Sequence, residues 1–152
     1  MFTNKFEIFE IIDIIRLKRN NVELNTINKA CYCLSCRLNG ESLFFYNNES
    51  LIAKRGDLLY IPKNCTYSQK TEGEEIVCFH LQAYRGSFSE LTISANNFSD
   101  KICSLFDKAE ILWQQKKDNY YYDCLSILYK ILSICNLNFS SNIKITNPLK
   151  SL

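Results

Sequence analysis

The sequence predicts a mainly antiparallel β domain, a sandwich or barrel, followed by a helical hairpin. Two observations carry this expectation. From about Phe6 to Tyr84, short alternating or apolar runs are separated at even intervals by turn residues, the punctuation of a small β sandwich or barrel. After Tyr84 the apolar period lengthens from two residues to between three and four, the period of helices packed on a core.

Taken in order, Phe6 to Lys18 fits strand or helix, and strand is the reading favoured. Ala30 to Leu38 alternates, with Tyr32, Leu34, Cys36 and Leu38 on one face and Cys33, Ser35 and Arg37 on the other. Asn39-Gly40-Glu41 reads as a turn, Leu43 to Tyr46 as the next strand, and Asn47-Asn48 as a hairpin loop. Leu51 to Lys54 leads into a Gly56-Asp57 turn, and Leu58 to Ile61 is a buried strand stopped by Pro62. Tyr67 to Lys70, a turn at Glu72-Gly73-Glu74-Glu75, and a strand from Ile76 to Tyr84 complete the β part.

Residues 87–97 read as a connecting loop, and Ser99 is suited to cap a helix. Ile102, Leu105, Phe106, Ala109, Leu112 and Trp113 then form one apolar stripe ending near Lys116. A second helix, from Tyr120 to about Asn136, is different in kind. Tyr121, Leu125, Leu128, Leu132 and Cys135 make one apolar stripe, and Cys124, Ile127, Ile131 and Ile134 make another beside it. A helix with two greasy faces needs more than one neighbour, which points to a homodimer through Leu125, Leu128, Ile131 and Leu132. Residues 138–152 are polar, contain Pro148, and read as a linker.

Composition narrows the function classes. The 152 residues are 47% hydrophobic and 22% charged, a globular balance that excludes a disordered chain or a coiled coil. A net charge of +2, with no basic run longer than Arg16-Leu17-Lys18-Arg19, argues against this chain gripping DNA by itself. The N-terminus lacks a signal-peptide pattern and the apolar runs are too short to span a bilayer, so a cytoplasmic protein with no membrane partner is expected. Eight cysteines sit mostly within apolar-periodic segments and read as buried thiols in a reducing compartment.

Cys31-x-Cys33-x-x-Cys36 invites a zinc reading with His80 as fourth ligand. On a strand, however, Cys31 and Cys33 share one face while Cys36 points to the other, so packed thiols are the better reading. His80, with no acid identified to orient it, reads as a core or pocket residue.

Three runs carry a family resemblance. Cys36-Arg37-Leu38-Asn39-Gly40-Glu41 resembles the strand and turn that open the cupin barrel of AraC-type transcription regulators. Gly56-Asp57-Leu58-Leu59-Tyr60-Ile61-Pro62-Lys63-Asn64-Cys65-Thr66-Tyr67 resembles the second signature motif of the cupin superfamily in its AraC-type form. Glu74 to His80 resembles the strand that follows. The resemblance implies a cupin-like (jelly-roll) antiparallel β-barrel followed by two helices: residues 1–97 an effector-binding barrel, 98–137 a dimerisation hairpin, and 138–152 a linker towards a DNA-binding domain that this chain does not contain. The implied function is effector sensing and dimerisation for an AraC-type regulator, with DNA contacted only through a helix-turn-helix domain.

Two departures bear on chemistry. Tyr67 stands where metal cupins place a histidine, and Asn64 replaces the motif's loop glycine. With a single histidine, the histidine-rich metal site of catalytic cupins cannot be assembled, so no catalytic residue, metal or cofactor is expected. Cys36, Tyr46, Tyr60, Tyr67, His80 and Gln82 are the candidate lining of a small-molecule site, being polar or amphipathic groups on barrel strands. The alternatives are a stand-alone cupin enzyme, such as an isomerase or dioxygenase, and a dimerisation module whose barrel its own side chains fill.

Overall fold

A computed structural model describes residues 7–85 and 90–150. Six strands are followed by two helices: β1 (Glu7–Thr26), β2 (Tyr32–Tyr46), β3 (Glu49–Ala53), β4 (Leu58–Ile61), β5 (Tyr67–Arg85), β6 (Thr92–Ser94), α1 (Ser99–Gln115) and α2 (Tyr120–Lys150). The strands pair antiparallel in the order β1-β5-β2-β4-β6, with β3 added to β2. Among the described residues this hydrogen-bonded order does not close on itself, so the strands form an open sheet rather than a closed barrel. Among the described residues no helix is long and apolar enough to cross a membrane.

The long β1 resolves the ambiguity of the first segment. Register shifts at Glu7/Ile8, Ile8/Glu10 and Ile11/Asp13 interrupt the two-residue period, so Ile11 and Ile14 join the same buried cluster despite being three apart. A bulged strand thereby acquires an apolar spacing that imitates a helix.

Two segments expected to be turns are bends within continuous strands. Gly40 pairs with Glu74, and Glu41 with Gly73, between register shifts at Arg37/Asn39 and Glu41/Leu43. Gly40 has φ +76°, and a Cβ there would lie 2.0 Å from the Gly73 carbonyl oxygen. Only glycine lets β2 and β5 approach this closely while both change direction. Asn47 and Asn48, by contrast, do form a two-residue hairpin loop, both at positive φ (54° and 63°) as a type I′ turn requires.

Gly56, at φ +81°, packs against the first turn of α1, where an added Cβ would meet the Ser99 Cβ at 2.3 Å. Ser99 is thus the first helical residue and makes no cap; Phe98 is the N-cap, and Asn96 organises the approach. The Asn96 side-chain amide donates to the Gly56 carbonyl, and its oxygen accepts from the Phe98 N–H.

The core has two parts. One lies between the sheet and the helices and joins Ile11, Ile14, Leu34, Leu58, Val77, Phe79 and Leu81 to Ile102, Phe106, Trp113, Leu128 and Ile131. Phe79 meets Phe106 edge-on at 5.3 Å. Arg16 fastens the same interface, donating from β1 to Glu75 on β5 and to Asp107 and Glu110 on α1. The second part lies on the opposite face of the sheet and contains Cys33, Phe44, Leu59, Ile61, Cys65, Tyr67, Cys78 and Leu91.

The ends of the chain differ from expectation in two ways. Part of the expected loop 87–97 forms β6, which pairs with β4, while 86–89 lie outside the described residues. The helix expected to end near Asn136 continues to Lys150, so most of the proposed linker is helical; residues 1–6 and 151–152 also lie outside the described residues.

Candidate functional site

The sheet face turned away from the helices carries the candidate site, because the pleat of β2 and β5 sends alternate side chains there. Cys33, Ser35 and Arg37 follow one another along β2, and Cys78 and His80 alternate on β5 opposite them. Between the two polar ends lies an apolar floor of Phe44, Leu59, Ile61, Tyr67 and Leu91, with the Phe44 and Tyr67 ring centroids 5.9 Å apart.

At one end is a buried ion network. The Arg37 Nε donates to Glu74 at 3.0 Å, and both side chains are almost fully enclosed. Glu74 also accepts from Arg19 and from the Gln69 amide, which donates in turn to Ser42. The Arg37 guanidinium lies 5.1 Å from the centroid of the Phe44 ring, so it caps the apolar floor with a fixed positive charge.

At the other end, the Cys33 and Cys78 Sγ atoms are 2.9 Å apart, and His80 Nδ1 bonds Asp13 at 2.6 Å. The thiols share one hydrogen bond. It lowers Cys33 to about 6, against the penalty of burial and with help from Lys29, and it raises Cys78 well above the ordinary thiol value. Burial opposes the charge on Lys29, but Cys33, Tyr67 and Cys78 around it outweigh that effect and raise its pKa. Burial likewise raises Tyr67.

The structure divides the residues predicted to line the site. Tyr67, His80 and half-buried Gln82 lie on β5; Tyr67 packs into the apolar floor, and His80 belongs to the thiol end. Tyr46 packs at the margin of the floor and lines a cleft of about 290 Å³ with Glu49, Leu51, Leu91 and Ile93. Cys36 and Tyr60 face the other way: both lie in the cluster beneath the helices, where Cys36 Sγ is 3.7 Å from Cys103 and Tyr60 stacks on Tyr32. Their strand parity, which sequence left open, removes them from this face.

Of the predicted dimer residues, Leu128 and Ile131 are fully buried within their own chain, whereas Leu125 and Leu132 are only half-buried. Covering by α1 and the sheet accounts for the difference. Cys33, Arg37, Glu74 and Cys78 were missed as site residues, since strand register rather than sequence spacing brings them together; Lys29, also missed, lies before β2, where its backbone hydrogen-bonds to Cys65 and Asn64. The histidine set of metal cupins does not fit here: Tyr67 and a single histidine leave it incomplete.

No protein-family model matches the chain, and no curated protein sequence does. Solved structures match in fold. The AraC-like transcriptional activator CuxR aligns over 81% of this chain with a TM-score of 0.62 at 9% identity. ToxT from Vibrio cholerae strain SCE256 aligns over 91% in an apo form (TM-score 0.57, 11% identity) and over 84% with an unsaturated fatty acid bound (TM-score 0.55, 11% identity). The chain spans about half the length of these structures, 51% of CuxR and 57–58% of ToxT. This protein therefore has a mainly antiparallel β fold with two C-terminal helices, a fold it shares with CuxR and ToxT.

Proposed function

We propose that this chain is the effector-sensing and dimerisation domain of an AraC-type transcription regulator that contacts DNA through a separate helix-turn-helix unit. The observation that carries the reading is the fold shared with an AraC-like activator over four-fifths of the chain. The face away from the helices then becomes the effector seat. Its apolar floor, flanked by Arg37 and Lys29, suits a ligand with an apolar body and an anionic head, the class to which the fatty acid bound to ToxT belongs.

α2 supplies the dimer surface. Tyr122, Leu125, Tyr129 and Leu132 fall at three- and four-residue steps on its outer side, with Tyr122 71% and Tyr129 44% exposed. A partly exposed apolar seam at heptad spacing suits the same helix of a second copy. An effector that binds two dimer arrangements with unequal affinity would shift their populations and so reposition the DNA-binding units.

Titration with an unsaturated fatty acid, read by thermal shift and by Trp113 fluorescence, tests the effector arm. Saturable stabilisation that weakens in Lys29→Ala supports it, and none below the lipid's aggregation threshold rejects it. A second reading is favoured by the packing of Phe44 on Tyr67: a dimerisation module whose floor is filled by its own side chains. A stable dimer indifferent to every ligand would select that reading.

A further inference from the structure

We infer that Cys33, Cys78 and His80 form a binding site for a thiophilic divalent cation, Zn(II), on the face of the sheet away from the helices. One ligand atom from each residue lies within 4.8 Å of the other two. The residues come from adjacent strands in fixed register, Cys33 opposite His80 and Cys78 two positions along, so the backbone ladder holds the three donors in place. Zinc takes thiolate sulfur at about 2.3 Å and imidazole nitrogen at about 2.0 Å in a tetrahedron, which sets its sulfurs about 3.8 Å apart. The thiol pair, now at 2.9 Å, reaches that geometry by opening about 1 Å.

The surroundings complete the argument. The Asp13 carboxylate holds His80 at Nδ1, the carboxylate–imidazole arrangement that orients a metal-binding histidine and leaves Nε2 to coordinate. Both cysteines are buried, while the Asp13 and His80 side chains keep 43% and 19% of their surface exposed, so the His80–Asp13 edge provides the entry path. On binding, two Zn–S bonds and one Zn–N bond form, whatever protons the two sulfurs still carry pass to solvent, and no atom changes oxidation state. Three protein ligands leave one coordination position for water or for a donor atom of a small molecule. Sequence reading did not find this set, because it paired the thiols by local spacing and so grouped Cys33 with Cys31 and Cys36.

The test reads metal binding alone and does not depend on whether the chain belongs to a regulator. Full-length protein, reduced and stripped of metal, is titrated with Co(II), and Zn(II) is then added. The expected result is saturation near one cobalt per chain with a thiolate-to-cobalt charge-transfer band, bleached by zinc. Cys33→Ser, Cys78→Ser and His80→Gln should each weaken binding more than about 100-fold, and Asp13→Asn by about 10- to 100-fold. Cys103→Ala, on the far side of the sheet, should leave binding unchanged. Asp13→Asn alters a half-exposed side chain and keeps all three ligands, so it reads the site even if the cysteine variants fail to fold. Absence of the charge-transfer band, or affinity indifferent to Asp13→Asn, overturns the proposal. So does a reduced protein that takes up no cobalt and instead loses both thiols to a disulfide on mild oxidation.

Discussion

Arg37 and Glu74 face each other across β2 and β5 at 3.0 Å, with 1% and 0% of their side-chain surfaces exposed. A charge so enclosed depends on its partner, because without one it is buried and unpaired. Glu74→Leu should therefore cost about 3–5 kcal/mol of stability, measured by urea unfolding. The double variant Arg37→Met with Glu74→Leu should lose clearly less than the sum of the two single changes. Additive losses would show that the two charges do not depend on each other.

Gly40 and Gly56 each occupy left-handed backbone against a neighbour. Gly40→Ala should be the more damaging, since its Cβ would strike the Gly73 backbone, which cannot swing aside. The left-handed penalty alone is about 1–2 kcal/mol, and the clash adds to it. Asn64, at φ +69°, occupies the same kind of backbone in the loop after Pro62. Asn64→Gly should be tolerated and Asn64→Ala should cost about 1 kcal/mol, a contrast that thermal denaturation can resolve.

The two sides of α2 should respond to opposite assays. Leu128→Ala empties a fully buried site and should cost about 2–5 kcal/mol of folding stability. Tyr122→Glu with Tyr129→Glu, at the two exposed positions, should leave the fold intact and yield a monomer by light scattering. If the unmodified protein is already a monomer at tens of micromolar, the outer seam has no dimer role.

Glu75 carries a pH signature. Its carboxylate accepts hydrogen bonds from Asn39 and Arg16, which hold its pKa below the ordinary 4.5 despite some opposing desolvation. A carboxyl with a depressed folded-state pKa contributes stability above its unfolded value and loses it as pH falls through the folded value. Melting temperature should therefore drop below about pH 4.5, and Glu75→Gln should flatten part of that slope. An identical profile in the variant would assign acid sensitivity to other groups.

Local patterns were legible where local chemistry decides structure. Leu58 to Ile61, the Asn47-Asn48 hairpin and α1 all follow from turn residues and apolar period, and the structure places them there. The polar runs at 39–41 and 72–75 misled because bulges and a left-handed glycine redirect two long strands there without ending them, which resembles a turn in composition. The candidate site was legible only in part. Tyr67 and His80 lie on the face away from the helices, whereas regular alternation along β2 and β4 turns Cys36 and Tyr60 towards them. The Cys33–Cys78–His80 cluster exists only once β2 and β5 are in register, a relationship that no spacing within one strand encodes.

The place of β1 at the edge of the sheet has a consequence for how the chain comes off the ribosome. Its partner β5 is made only after β2, β3 and β4 have emerged, so the first strand waits with both edges bare while the 40 residues between them are made. Such non-local pairing slows folding and leaves a long segment open to wrong partners. Charged residues along that strand, Glu10, Asp13, Arg16, Lys18, Arg19 and Glu23, interrupt any flat apolar edge that a neighbouring chain could extend. Arg16, which later clamps sheet to helix, thus serves first as a gatekeeper during the wait.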